Sequence, residues 1–145
     1  KAILQLIEIM DRTAETIPLL FILHPPTEKQ LKRFNLYSRL AANKNIGLRP
    51  RYSYFDFVTL LEQTEFIITD GGSIQEESSY LGIPCLLLRH ATERQEGLQV
   101  NVVLSEFKEE KITTFVREYR KLRGKTNIAG YQPSQVIIDS IIKYV

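Results

Sequence analysis

A disulfide framework is excluded at the outset, because the 145 residues hold a single cysteine, Cys85; this cysteine usage fits a reducing compartment. Cys85 sits in an apolar run and reads as a small buried hydrophobe. Long hydrophobic runs are missing as well. The longest are strand length, and no charged-then-apolar leader precedes a small-residue cleavage site, so neither a membrane span nor a signal peptide is expected. Charge of one sign is lacking too: 19 Lys and Arg stand against 17 Asp and Glu, a formal +2. The basic residues are scattered apart from a cluster at Lys121 to Lys125, which leaves a modest preference for anions and no nucleic-acid footprint. Internal repeats and low-complexity segments are absent. The default expectation is a cytoplasmic protein without nucleic-acid or membrane partners.

What is present is 43% hydrophobic content, enough at this length for one domain with a sizeable core and no staples. The first residue is Lys1, not methionine, and Ile3, Leu6, Ile7 and Met10 already lie on one helical face. That reads as a piece of a longer chain.

The chain is organised around residues 64–97. Glu65 to Thr69 is a β-branched and aromatic run suited to a buried parallel strand. Asp70-Gly71-Gly72-Ser73 is turn chemistry, with Ser73 as N-cap candidate. Ile74 to Leu81 reads as a helix with Ile74, Glu77 and Leu81 at helical spacing, closed by Gly82-Ile83-Pro84, and Cys85 to Leu88 as a second strand. This βαβ unit puts a helix N-terminus at the carboxyl end of a strand, where open α/β sheets bind ligands. The amides of Gly72, Ser73 and Ile74 would converge there, small residues would let a phosphate approach, and the helix dipole would favour its charge. The plainer alternative is a loop capped by Ser73. Glu77, read as lying in the first helical turn, suits a ribose because a carboxylate accepts from both vicinal hydroxyls. Glu76 reads as a complement to the helix dipole.

Around this unit, residues 1–16 read as a helix, Ile17 to Leu23 as a buried strand ending in His24-Pro25-Pro26-Thr27, and Glu28 to Ala42 as one amphipathic helix through Leu31, Phe34, Leu36 and Leu40. His24 thus falls at a strand's carboxyl end, where an imidazole can donate to phosphate or exchange a proton. Asn45 to Leu48 reads as a strand, and Tyr54 to Leu61 as a helix with Phe57, Val58 and Leu61 inward. Arg89 to Gly97 is a polar loop; Val100 to Leu104 a strand; Glu106 to Leu122 and Ser134 to Tyr144 helices. Alternating strands and helices give an α/β class, a three-layer Rossmann-like domain with a mainly parallel sheet.

TDGGSIQEE (69–77), LGIPCLLLR (81–89) and TERQEG (92–97), together with Tyr54, Asp56 and Phe57 in a Y-x-D-F pattern, resemble the UDP-N-acetylglucosamine 2-epimerase family, whose usual forms are TDSGGIQEE, a G-x-P strand and arginine, and TERPEG. The resemblance runs from about Leu19 to the C-terminus and is dense between Tyr54 and Gly97. It departs from the family in the order of the glycines and serine at 71–73, in His90 and Gln95, and in the segment after Gly97. The resemblance implies the C-terminal, nucleotide-binding half of a GT-B type protein, with 1–145 as one UDP-binding domain and an N-terminal domain outside the chain. It implies UDP-sugar contacts by Phe57 against the uracil, by Gly71, Gly72 and Ser73, by Glu77, and by Arg94 on the phosphates, where a planar fork offers paired donors. Glu93 and Glu96 would orient Arg94. His24 would lie near the diphosphate or sugar as a catalytic candidate, with the other acid and base in the absent half. The implied activity is interconversion of UDP-GlcNAc and UDP-ManNAc, or hydrolysis to free ManNAc, for cell-surface polysaccharide precursors. No metal or cofactor is expected; the partners are a UDP-sugar and the chain's own N-terminal domain, with a homodimer of the full-length protein left open. The rivals are a GT-B glycosyltransferase half and a non-catalytic nucleotide-sugar-binding module.

Overall fold

The computed structural model describes residues 2–125 and 133–143. The chain divides into two compact units, Lys1–Leu60 and Leu61–Val145, taken in turn.

In the first unit, helix α1 (Ala2–Ala14), strand β1 (Leu19–Ile22), helices α2 (Pro25–Arg33) and α3 (Tyr37–Ala42), strand β2 (Ile46–Arg49) and the start of helix α4 (Tyr54–Glu62) follow one another. β1 and β2 pair in parallel, Leu19 opposite Ile46 through Ile22 opposite Arg49. The α1 face is as its spacing predicts: Ile7 and Met10 are buried, and Ile3 and Leu6 pack partly against the same cluster as Leu23, Leu31, Leu36, Leu40 and Ile46. The single helix expected over 28–42 is broken. Asn35 takes φ 55, and the Leu36 amide donates to Leu31 O at 2.8 Å. Asparagine tolerates this left-handed conformation and ends α2. The break leaves Phe34 53% exposed while Leu31, Leu36 and Leu40 stay buried.

In the second unit the strands are β3 (Ile67–Thr69), β4 (Cys85–Leu87) and β5 (Val102–Leu104), in the order β3-β4-β5 with both pairings parallel. β4 is central, and Cys85, Leu86 and Leu87 are fully buried. Such a strand reads as an unbroken apolar run because both its faces are covered. Burial pushes the Cys85 thiol up to about 12. Helix α5 (Gly72–Leu81) crosses between β3 and β4 and ends at Gly82, whose φ of 63 lies in the left-handed region that favours glycine, with the Ile83 amide donating to Ser78 O at 2.9 Å. Helix α6 (Glu109–Glu118) and a 3-10 turn at Tyr119–Leu122 replace the longer helix expected from Glu106. Its start is delayed because Glu106 and Phe107 both have positive φ, 51 and 56. Phe66 packs edge-on against Phe115, ring centroids 5.6 Å apart, and at a tilt against Tyr119, 4.8 Å away. Helix α7 (Pro133–Ile142) is the last; Tyr144, expected at its end, lies outside the described residues. Among the described residues no helix is long and apolar enough to cross a membrane.

Candidate functional site

The carboxyl ends of β3 and β4 lead into the two segments that build the site. After Thr69 the chain turns at Asp70, and the Gly71 amide donates to Thr69 Oγ1 at 3.0 Å. Gly71, extended at φ −84 and ψ 127, is the N-cap of α5. Its carbonyl accepts the first helical bond, from Gln75 N at 3.2 Å. The expected cap, Ser73, is instead the helix's second residue, since the helix begins at Gly72; from inside the first turn its hydroxyl cannot take the cap's place. The amides of Gly72, Ser73 and Ile74 precede that first bond and have no acceptor within the helix, so the anion-favouring end of α5 is open.

The loop leaving β4 brings Arg94 to this end. A Cβ built on Gly72 would stand 2.6 Å from Arg94 Cζ and closer still to Nη1, so only a glycine admits the guanidinium here. Arg94 Nε donates to Glu76 Oε1 at 2.6 Å and Nη1 to Glu93 Oε1 at 2.7 Å. Glu93 also takes Arg89 Nη1 at 3.3 Å. Its own backbone amide first, then Arg89 and Arg94, hold the Glu93 carboxyl below the usual range. The Glu76 hydrogen bond and charge push Arg94 further toward its charged form. Glu76, read from the sequence as a dipole complement alone, is thus a direct partner of Arg94. Glu96, expected beside Glu93 as an orienter, has a buried Oε2 without a hydrogen-bond partner among the described residues.

Glu77, one position on, is half-buried, and its Oε2 is likewise buried without a partner. Burial first, and the neighbouring Glu76 second, push its carboxyl up from the ordinary value. An acceptor already stripped of water and not yet paired is suited to a donor brought by a ligand.

The inward face of α5 was not found by hydrophobic spacing. Ile74 and Glu77 are only half-buried and Leu81 is 38% exposed; the fully buried positions are Gln75, Ser78 and Ser79. Gln75 reaches the loop that carries Arg94, donating to Arg94 O at 3.2 Å and Glu96 O at 3.0 Å. The signal lay in a glutamine with two serines at i+3 and i+4, a polar stripe where an apolar one is usual.

In the first unit, His24 is exposed at the carboxyl end of β1 and is the N-cap of α2, extended at φ −77 and ψ 139 with no side-chain capping bond. Phe57 is half-buried in the first turn of α4. Asp56 of the same pattern caps that turn with Ser53: Ser53 Oγ donates to Asp56 Oδ2 at 2.7 Å and accepts the Asp56 amide at 3.3 Å. Among the described residues no group of three His, Cys, Asp or Glu side chains is placed to hold a metal ion.

A sequence model of the UDP-N-acetylglucosamine 2-epimerase family matches residues 1–135. The chain belongs to this family. It is 36% identical over 146 residues to the UDP-N-acetylglucosamine 2-epimerase of Methanocaldococcus jannaschii, covering 99% of this chain and 38% of that protein. It is 32% identical over 119 residues to that of Bacillus subtilis, covering 72% and 31%. The crystal structure of the M. jannaschii enzyme in complex with UDP-GlcNAc and UDP superposes at TM-score 0.83 with 33% identity, over 99% of this chain and 41% of that one. That of Neisseria meningitidis bound to UDP-GlcNAc gives 0.67 and 29%, over 97% and 40%. The fold is therefore the mixed α/β, parallel-stranded architecture of the GT-B epimerase structures. The epimerase-family chain spans between 31% and 41% of the length of these relatives.

Proposed function

We propose that this chain is the UDP-binding C-terminal domain of a cytoplasmic UDP-N-acetylglucosamine 2-epimerase, which interconverts UDP-GlcNAc and UDP-ManNAc, or releases free ManNAc, for cell-surface polysaccharide precursors. The observation that carries the reading is the Arg94 guanidinium against Gly72, at the open amides of α5. A fixed cation beside unpaired backbone donors is a phosphate site built from both charge and geometry. In this reading Gly71, Gly72, Ser73 and Arg94 hold the diphosphate, Glu77 accepts from the ribose hydroxyls, Phe57 lies on the uracil, and His24 meets the diphosphate or sugar. Glu77's unpaired Oε2 supports the ribose assignment. The carboxylates that move the proton at C2 belong to an N-terminal domain outside this chain.

Separation of handle from chemistry gives the test. The chain alone is expected to bind UDP in calorimetric titration and to show no turnover of UDP-N-acetylglucosamine by UDP release or sugar analysis. Turnover by the chain alone would sink the division of labour; failure of the folded chain to bind UDP would sink the site.

A further inference from the structure

Every hydrogen-bonding position of the Gln75 carboxamide that the loop can use is spent on one segment. Its two donors go to Arg94 O and Glu96 O, and Oε1 accepts the Thr92 hydroxyl at 3.0 Å. That hydroxyl in turn accepts the Arg94 amide at 3.2 Å. Only the NH₂ end can serve two carbonyls, so the network itself fixes the orientation of the amide. Gln75 itself is fully buried and its loop partners are half-buried, which limits the access of competing water to these bonds. The residue it anchors, Arg94, returns to Gly72, three positions before Gln75 on the same helix. Helix, loop and guanidinium therefore close a ring.

A guanidinium at the positive end of a helix dipole is pushed away by that dipole. Glu76 and Glu93 offset the push, but their side chains are 36% and 67% exposed, and such pairs are weak and screened. The constraint that resists the push without screening is the buried backbone clamp. We infer that Gln75 is the positioning residue of the anion site: it fixes the backbone of Thr92 to Glu96 so that Arg94 is presented to a ligand phosphate at the α5 amides. The inference rests on the phosphate reading of this site and deepens it, since it makes a buried amide on α5 the determinant of diphosphate recognition.

The test is the ratio of uridine to UDP dissociation constants, which isolates what the phosphates add. Arg94→Ala supplies the benchmark, lowering the ratio about tenfold to a hundredfold with uridine binding unchanged. Gln75→Leu is expected to lower it about tenfold and Thr92→Val, which removes only the hydroxyl link, about threefold, again without change in uridine binding. In the Arg94→Ala background neither should lower the ratio further, because nothing is left to position. A role confined to folding would weaken both ligands alike and leave the ratio where it was; that result, in either variant, overturns the inference. Should Gln75→Leu not fold, Thr92→Val decides alone. A wild type indifferent to phosphate, or an Arg94→Ala ratio equal to wild type, overturns the phosphate reading and the inference together. An Arg94-dependent ratio with indifferent Gln75 and Thr92 variants overturns the inference only.

Discussion

Replacing Gly72 with alanine separates the two duties a glycine can have at a helix start. Its φ lies outside the left-handed region, so the backbone accepts a Cβ; what the Cβ meets is the Arg94 guanidinium, 2.6 Å from Cζ. That neighbour is the far end of a flexible side chain, so it swings away while the backbone stays. The loss to folding is that of the pairs with Glu76 and Glu93, whose side chains are 36% and 67% exposed, and solvent-screened pairs of this kind add little to stability. Alanine returns up to about 1 kcal/mol over glycine in helix propensity, less at a terminus. Stability should thus stay within about 1 kcal/mol of wild type. Phosphate binding should not: it loses a charge-assisted contact of roughly 1.5–3 kcal/mol, about a tenfold to hundredfold weakening of UDP. Thermal melts and titrations with UDP and uridine on the same preparation give both numbers. A variant that melts much lower and loses both ligands equally, or one that binds UDP as wild type does, refutes the reasoning.

If Glu77 accepts from both ribose hydroxyls, UDP should outbind 2′-deoxy-UDP by about 1–3 kcal/mol, and Glu77→Ala should nearly abolish that preference; a full preference in the mutant would make Glu77 a plain helix charge. For acid stability the informative group is Glu106, whose carboxyl is held down to about 2 by the Lys111 hydrogen bond first and by Lys108. A depressed carboxylate stabilises above its unfolded value and ceases to do so as pH falls through the folded one. Denaturation midpoints of wild type and Glu106→Gln should therefore differ by a constant amount above about pH 5 and converge between there and about pH 2; a gap that persists unchanged at pH 2 would rule out the ion pairs as its source.

Much of the second unit could be read from the chain because its signals are local. Gly82 with Pro84 after it marks the end of α5, and the apolar run from Cys85 marks a strand covered on both faces. The α/β class and parallel pairing follow from the same alternation, and the structure bears them out. What escaped was set by tertiary contact. Asn35 and Glu106 adopt left-handed φ without glycine, so no breaker announced the ends of α2 or the late start of α6. At α5 the hydrophobic rule failed outright, since Gln75, Ser78 and Ser79 are buried there. Small side chains let the helix lie close to its neighbours: Ser78 Oγ turns back on its own helix, donating to Ile74 O at 2.6 Å, Ser79 Oγ is buried without a hydrogen-bond partner among the described residues, and Asn101 Nδ2 donates to the Ser78 carbonyl at 2.8 Å. The candidate site was legible as residue types at motif spacing, but the Glu76–Arg94 pair spans 18 positions and no periodicity connects them.

That pair bears on how the proposed site manages its own charge. Glu76 and Glu77 are adjacent, and burial first and Glu76 second already raise the Glu77 carboxyl. A diphosphate arriving at Gly72 adds negative charge to the same turn, which by itself favours the protonated form of Glu77 and weakens it as an acceptor. Arg94 lies between these demands, because its Nε engages Glu76 while Nη1, which also donates to Glu93, rests over Gly72. One guanidinium can thus neutralise the carboxylate that would disturb Glu77 and face the phosphate at once, its planar fork allowing both. Lysine, with a single compact charge, could satisfy one demand and leave the other open. When a diphosphate is bound, the ribose contact and the phosphate contact are then coupled through Arg94, so that loss of its charge should weaken the Glu77 preference for a 2′-hydroxyl in UDP, whose phosphates would load the turn with uncompensated charge, while uridine, which brings no charge, binds as before.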